Sequence, residues 1–156
     1  MSRSWQPLSS IRAGLGELSQ RRRLKIAAEY QEAFQVLEVS SKASAALARR
    51  CLQNLIRKQE GIEGRTLYDE IQRLLATKKL PQYLADDLDA IRVVGNFAAH
   101  PIKNTNTGAV VPVEPQEAEW MLDLLTELLD FYFEREVKSK ARRSRLQRKL
   151  NDLHKR

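Results

Sequence analysis

The segment from Pro115 to Phe133 dictates what must surround it. Trp120, Met121, Leu122, Leu124, Leu125, Leu128, Leu129, Phe131, Tyr132 and Phe133 place apolar side chains on nearly every side of one helix. A helix that is apolar all round has to be enclosed by other elements. Pro115 suits the first turn, where its missing N–H is no loss, and Glu117 and Glu119 favour the positive end of the helix dipole. Asp123, Glu127 and Asp130 break the run well short of the ~20 uninterrupted apolar residues of a membrane span. The enclosing layer is therefore expected to be protein, with no membrane partner.

Helical periodicity fills the rest of the chain and strand alternation is nearly absent, so the fold class is all-α. A first helix spans roughly Ser9 to Leu37. It begins weakly at Gly14 and Gly16 and strengthens through Leu24, Ala27, Ala28, Tyr30, Ala33, Phe34 and Leu37. Ser40 and Ser41 cap a second helix with Ala43, Leu47, Cys51 and Leu55 at four-residue intervals, ended by Gly61 and Gly64. Thr66 and Asp69 resemble a capping box that opens a short third helix faced by Leu67, Ile71, Leu74 and Leu75. After a turn at Lys78 to Leu80, Pro81 starts a fourth helix with Leu84, Leu88, Ile91, Gly95 and Ala98 on one stripe. Pro101 stops it at His100. Residues 102–114, rich in Asn, Thr, Gly and Pro, read as a loop.

Charge is distributed unevenly along the 156 residues. Net charge is +7, and residues 134–156 hold 10 Lys/Arg against 3 Asp/Glu, leaving 17 of each sign in residues 1–133. The chain thus reads as a neutral helical domain, 1–133, followed by a basic helical tail, 134–156. Lys138, Lys140, Arg142, Arg143, Arg145, Arg148 and Lys149 crowd into twelve residues. Such a tail is either a solubilising end or an electrostatic clamp for RNA, DNA or an acidic protein face. Cys51 is a single cysteine on an apolar stripe and reads as packing. With one thiol and no apolar leader at residues 1–15, a reduced, cytoplasmic protein is expected. Arg49, Arg50, Arg57 and Lys58 read as a solvated basic face. Asp86, Asp87 and Asp89 spread around a helix start, so neither a metal nor another cofactor is expected.

The most distinctive stretch is Ile91-Arg92-Val93-Val94-Gly95-Asn96-Phe97-Ala98-Ala99-His100-Pro101. At about 100° per residue, Arg92, Asn96 and His100 share one face turned away from the core stripe. Val93 and Phe97 make a neighbouring face apolar where a lone protomer would expose it. Either another helix or a second copy is expected to cover that side. The three polar residues have two readings. As structure, Arg92 pairs with Asp89, His100 favours a helix C-terminus, and Asn96 satisfies backbone groups. As chemistry, His100 is an acid or base near neutral pH, Arg92 a bidentate phosphate anchor and Asn96 an orienting group, which suffices for metal-independent RNA cleavage.

The run from Tyr30 to Tyr132 resembles a bacterial helical family of unknown function related to the HEPN superfamily (higher eukaryotes and prokaryotes nucleotide-binding domains). The matching pieces are Lys42 to Leu52, Thr66 to Ile71, Leu80-Pro81 and above all Ile91 to Pro101. The resemblance implies a bundle of four to five helices and a homodimer. It also implies stand-alone or fused use beside restriction and other defence enzymes, and in many members a metal-independent ribonuclease site at the dimer interface. In those nucleases an Arg, usually followed at once by a polar residue, precedes a His by four to six positions. Here seven residues separate Arg92 from His100, and Gly95 stands where Arg would directly precede Asn96. Two functions follow as expectations. The first is a HEPN-like homodimeric module that binds nucleic acid, or a restriction, defence or antitoxin partner, without efficient catalysis. The second is an endoribonuclease built on Arg92, Asn96 and His100.

Overall fold

The computed structural model describes residues 17–99 and 115–154, with side chains over 20–93 and 115–154. Six α-helices account for nearly all of them: α1 (Glu17–Gln35), α2 (Ser41–Glu60), α3 (Leu67–Ala76), α4 (Gln82–Ala99), α5 (Pro115–Leu129) and α6 (Arg135–His154). A single π-helical turn at Asp130–Glu134 joins α5 to α6 without a break, so the last two helices form one rod. No strand occurs among the described residues, and no described helix is long and apolar enough to cross a membrane.

Local chemistry sets the boundaries. The Ser40 hydroxyl accepts the Ala43 N–H at 3.1 Å and caps α2, and Gly61 ends that helix in the left-handed region at φ 65°, returning its N–H to the Arg57 carbonyl. Thr66 caps α3 through the Asp69 N–H at 3.2 Å. Lys78 takes a left-handed φ of 53° in the turn before Leu80, and Pro81 stands just ahead of α4, its carbonyl accepting the Ala85 N–H at 3.0 Å. The expected start of the first helix near Ser9, the residues around Gly14 and Gly16, the stop at His100 and the loop at 102–114 lie outside the described residues.

The core is organised around α5, which packs against α1, α2 and α4 while α3 bridges α2 and α4. Ala118, Met121, Leu122, Leu124, Leu125, Leu128 and Leu129 are buried along it. Trp120 departs from the expected all-round burial, at 47% exposed. Helix α1 buries Arg23, Ile26, Tyr30 and Ala33, whereas Leu24, expected among its apolar contacts, is 63% exposed.

The second helix corrects the stripe read from sequence. Its buried face is Ser44, Ala45, Ala48, Cys51, Leu52, Leu55 and Ile56, with Ala43 exposed and Leu47 half-buried. Four-residue steps advance about 40° each around a helix. A stripe from Ala43 to Leu55 therefore walks from solvent into the core instead of following it. The small residues on the true face let α1 and α2 approach closely enough for the Ser44 hydroxyl to donate to the Ala33 carbonyl at 2.7 Å. The Cys51 thiol reaches the Ile26 carbonyl at 3.6 Å. Cys51 is thus a packing residue with a weak donor.

Candidate functional site

Arg92 sits in the third turn of α4, with its side chain only 13% exposed. Asp89, one turn earlier, holds one edge of the guanidinium: Oδ1 accepts from Nε at 2.8 Å and lies 2.7 Å from Nη2. The plane is held from another side by the Tyr68 ring of α3, 4.3 Å from the guanidinium carbon to the ring centroid, a cation–π contact. Burial disfavours the charge, but the bonds to Asp89 and Tyr68 outweigh it and raise the pKa above the ordinary arginine value. The pairing with Asp89 anticipated from the sequence is therefore present. The opposite edge is different: Nη1 is buried and has no hydrogen-bond partner among the described residues.

Arg92 also lines a small depression of about 10 Å³, room for one water at most, together with Arg49, Leu67, Tyr68, Ile71, Ile91 and Met121. The side chains that share this depression with Arg92 come from α2, α3 and α5 as well as from α4 itself. Arg49 is the unexpected member. Read as part of a solvated basic face, it is instead half-buried, and burial pulls its pKa below the ordinary value with no carboxylate opposing the shift. Arg57, from the same presumed face, is also engaged, on Glu70.

The signal for Arg49 was present once the face of α2 is drawn correctly. Taking Ala48 as zero, Ala45, Leu52 and Ile56 fall near 60°, 40° and 80°, and Arg49 near 100°, at the edge of the buried arc. Among the other sequence candidates, Asn96 lies in the last turns of α4 with its side chain outside the described residues, and His100 lies outside them entirely. The Arg92, Asn96 and His100 trio is therefore represented by Arg92 alone. No group of three His, Cys, Asp or Glu side chains suited to a metal occurs among the described residues.

The second candidate surface is α6. None of its residues is buried. Its attachments are near its start: Arg135 and Lys138 reach Asp130 at 3.5 and 3.6 Å, Arg135 donates to the Tyr83 hydroxyl, and Lys140 pairs with Glu136 at 2.7 Å. Among the seven expected nucleic-acid contacts, Lys138 and Lys140 thus have acidic neighbours. Arg142, Arg143, Arg145, Arg148 and Lys149 are exposed and have none among the described residues. Arg142, Arg145, Arg148 and Lys149 fall within about 120° of arc, beside the exposed seam of Leu146, Leu150 and Leu153.

A family model described as a domain of unknown function, DUF4145, matches residues 31–155, from the second half of α1 to the end of α6. No curated protein and no solved structure matches the chain.

Proposed function

The chain belongs to the DUF4145 family, whose description assigns no function, and we propose that this member is a HEPN-like, homodimeric helical module that binds nucleic acid through α6. The reading places it in a prokaryotic defence or toxin–antitoxin setting, without efficient catalysis. One observation carries it. Helix α6 holds five exposed cations with no acidic partner among the described residues, and none of its side chains is buried. At 1.5 Å per residue its 20 residues extend about 30 Å. A solubilising end needs no such one-signed array, whereas a polyanion gains from it by releasing counterions. A second copy is supported by apolar side chains that a single protomer leaves in water, Val93 on α4 at 44% exposed and Trp120 on the adjacent α5 at 47%.

Fluorescence anisotropy with a labelled single-stranded RNA tests the first part. The wild type should bind, and a variant with Arg142, Arg143, Arg145, Arg148 and Lys149 all changed to Gln should not. Equal binding by both would remove α6 from the function. Light scattering during gel filtration tests the second, with twice the chain mass expected.

The ribonuclease alternative draws support from Arg92, whose Nη1 Asp89 leaves without a hydrogen-bond partner, a buried donor that would have to be uncovered to meet a phosphate. Total RNA incubated in EDTA with wild-type protein and with His100→Ala separates the two readings. RNA left intact at high protein concentration favours the binding module. Cleavage lost only in the variant establishes the enzyme.

A further inference from the structure

We propose that the basic face of α6 takes a single strand of nucleic acid, with the Tyr83 ring as a stacking platform for one base at the root of the helix. The inference rests on the reading of α6 as a nucleic-acid surface and names the form of strand that surface selects.

The cations come first. Arg135, Lys138, Arg142, Arg145 and Lys149 recur at steps of three and four residues, so at about 100° per residue they stay within about 80° of arc on one side of α6. All five are exposed. At 1.5 Å per residue the stripe runs about 21 Å from Arg135 to Lys149. Asp130 stands at its start, 3.5 Å from Arg135 and 3.6 Å from Lys138. One carboxylate shared by two cations leaves that end of the stripe positive.

The ring comes second. Tyr83, in the first turn of α4, is 45% exposed. Arg135 donates to its hydroxyl, and the guanidinium carbon lies 5.9 Å from the ring centre. A cation bonded to the phenol oxygen at that distance stands off the hydroxyl end of the ring and covers neither of its faces. The same carbon is 6.0 Å from the centre of the half-buried Phe131 ring. The first cation of the stripe thus holds an exposed ring beside it, and little ordering is left to lose when a base lies on that ring.

The combination selects a single strand. Cations alone attract any polyanion, duplex or not. An aromatic face gains only from a base free to leave its neighbours, whereas the bases of a duplex are paired and stacked inside it. Asp86 and Asp87, about one turn further along α4, are exposed and repel phosphate. The backbone of the strand therefore belongs on the α6 side and its base on Tyr83.

Fluorescence anisotropy of the full chain with three labelled RNA probes tests the site: a short oligouridine, whose bases stack weakly on one another, an abasic strand of the same length, and a duplex of the same length. The wild type should bind oligouridine about tenfold more tightly than the abasic strand. In Tyr83→Leu that preference should vanish, with affinities for the abasic strand and the duplex staying at wild-type values. Tyr83→Phe, which keeps the ring and loses the hydroxyl, should retain most of it. The wild-type comparison needs no variant, so a misfolded Tyr83→Leu would not hide the answer. Equal binding of oligouridine and the abasic strand by the wild type, or a loss in Tyr83→Leu as large on the duplex as on the single strand, would overturn the proposal and leave α6 as the nucleic-acid surface. Binding of none of the probes by the wild type would overturn both.

Discussion

A single carboxylate oxygen of Glu70 holds the Arg57 guanidinium: Oε1 accepts from Nε at 2.8 Å and lies 2.7 Å from Nη2. The same oxygen accepts the Gly64 N–H at 3.0 Å, while Oε2 is buried without a partner among the described residues. The pair fixes the path from α2 through Gly61 and Gly64 into α3, and so positions Tyr68 beneath Arg92. Glu70 has no exposed surface, whereas Arg57 keeps a third of its side chain in water. The two partners therefore tolerate loss of the other unequally.

Replacing Glu70 by Met leaves Arg57 able to turn to solvent, with an expected loss of about 2–3 kcal/mol. Replacing Arg57 by Met leaves a buried carboxylate with the Gly64 N–H as its remaining donor, and should lower the urea midpoint further. Gly64→Ala should also destabilise, because its Cβ would stand 3.0 Å from the Glu70 Cγ and 3.2 Å from the Asp69 Cβ. Urea unfolding of the three variants checks the order. A smaller loss in Arg57→Met than in Glu70→Met would contradict it.

Arg23 and Glu134, 111 residues apart, form another long-range ion pair, at 2.8 Å. The Arg23 guanidinium also lies 5.8 Å from the centre of the Phe133 ring. Burial lowers the Arg23 pKa and Glu134 opposes that shift, so the carboxylate is what makes the buried cation tolerable. Glu134→Ala should cost about 3 kcal/mol. Because the pair is mostly out of water, the difference from wild type should persist in 1 M NaCl, where exposed ion pairs are screened. A difference that disappears in salt would show that the pair behaves as a surface contact.

The first of these pairs shows where sequence reasoning reached its limit. Ser40, Gly61, Thr66 and Pro115 mark helix boundaries through chemistry contained within a few residues, and each stands at the boundary expected of it. The apolar run from Met121 to Phe133 likewise placed α5 at the centre. Glu70 reads in sequence as an ordinary acidic residue in the first turn of a helix. Its burial depends on Arg57, thirteen residues earlier, folding back across a glycine turn. The π-helical turn was equally hidden. Its extra residue shifts the register, so that Phe133 is buried while Phe131 and Tyr132 are half-buried. Arg92 was legible because Asp89 lies three residues away on the same helix, but Arg49 comes to it from another helix entirely.

Two weak acids, a buried thiol and a half-buried phenol, should make the protein labile in alkali. Burial pushes the Cys51 thiol up from 9.0 to about 12, with the Glu29 charge adding and Lys58 opposing. Burial also raises the Tyr132 phenol, whose hydroxyl donates to Glu60 Oε1 at 2.9 Å. Folded-state values above the unfolded ones mean stability that is intact below about pH 9 and falls as pH rises toward 12. Urea midpoints measured from pH 7 to 11.5 should decline less steeply in Cys51→Ala and in Tyr132→Phe than in wild type. Parallel curves would remove both groups from the effect. The same burial predicts a thiol that reacts slowly with disulfide reagents at pH 8 when folded and rapidly in denaturant.

The salt dependence of RNA binding gives the most direct measure of how α6 works. If Arg142, Arg143, Arg145, Arg148 and Lys149 each neutralise one phosphate of a single strand, log affinity should fall against log salt with a slope near −3.5, at about 0.7 per contact. Lys138 and Lys140 already face Asp130 and Glu136, so changing them to Gln should leave the slope within about one contact of wild type. Arg142→Gln or Arg145→Gln should each flatten it by about 0.7. The exposed leucines provide a contrast. Leu146→Ser with Leu150→Ser removes apolar surface without touching charge, and should alter the slope little even if it weakens binding. A slope that follows the leucines and ignores the arginines would mean that the helix docks on a protein face and not on a polyanion.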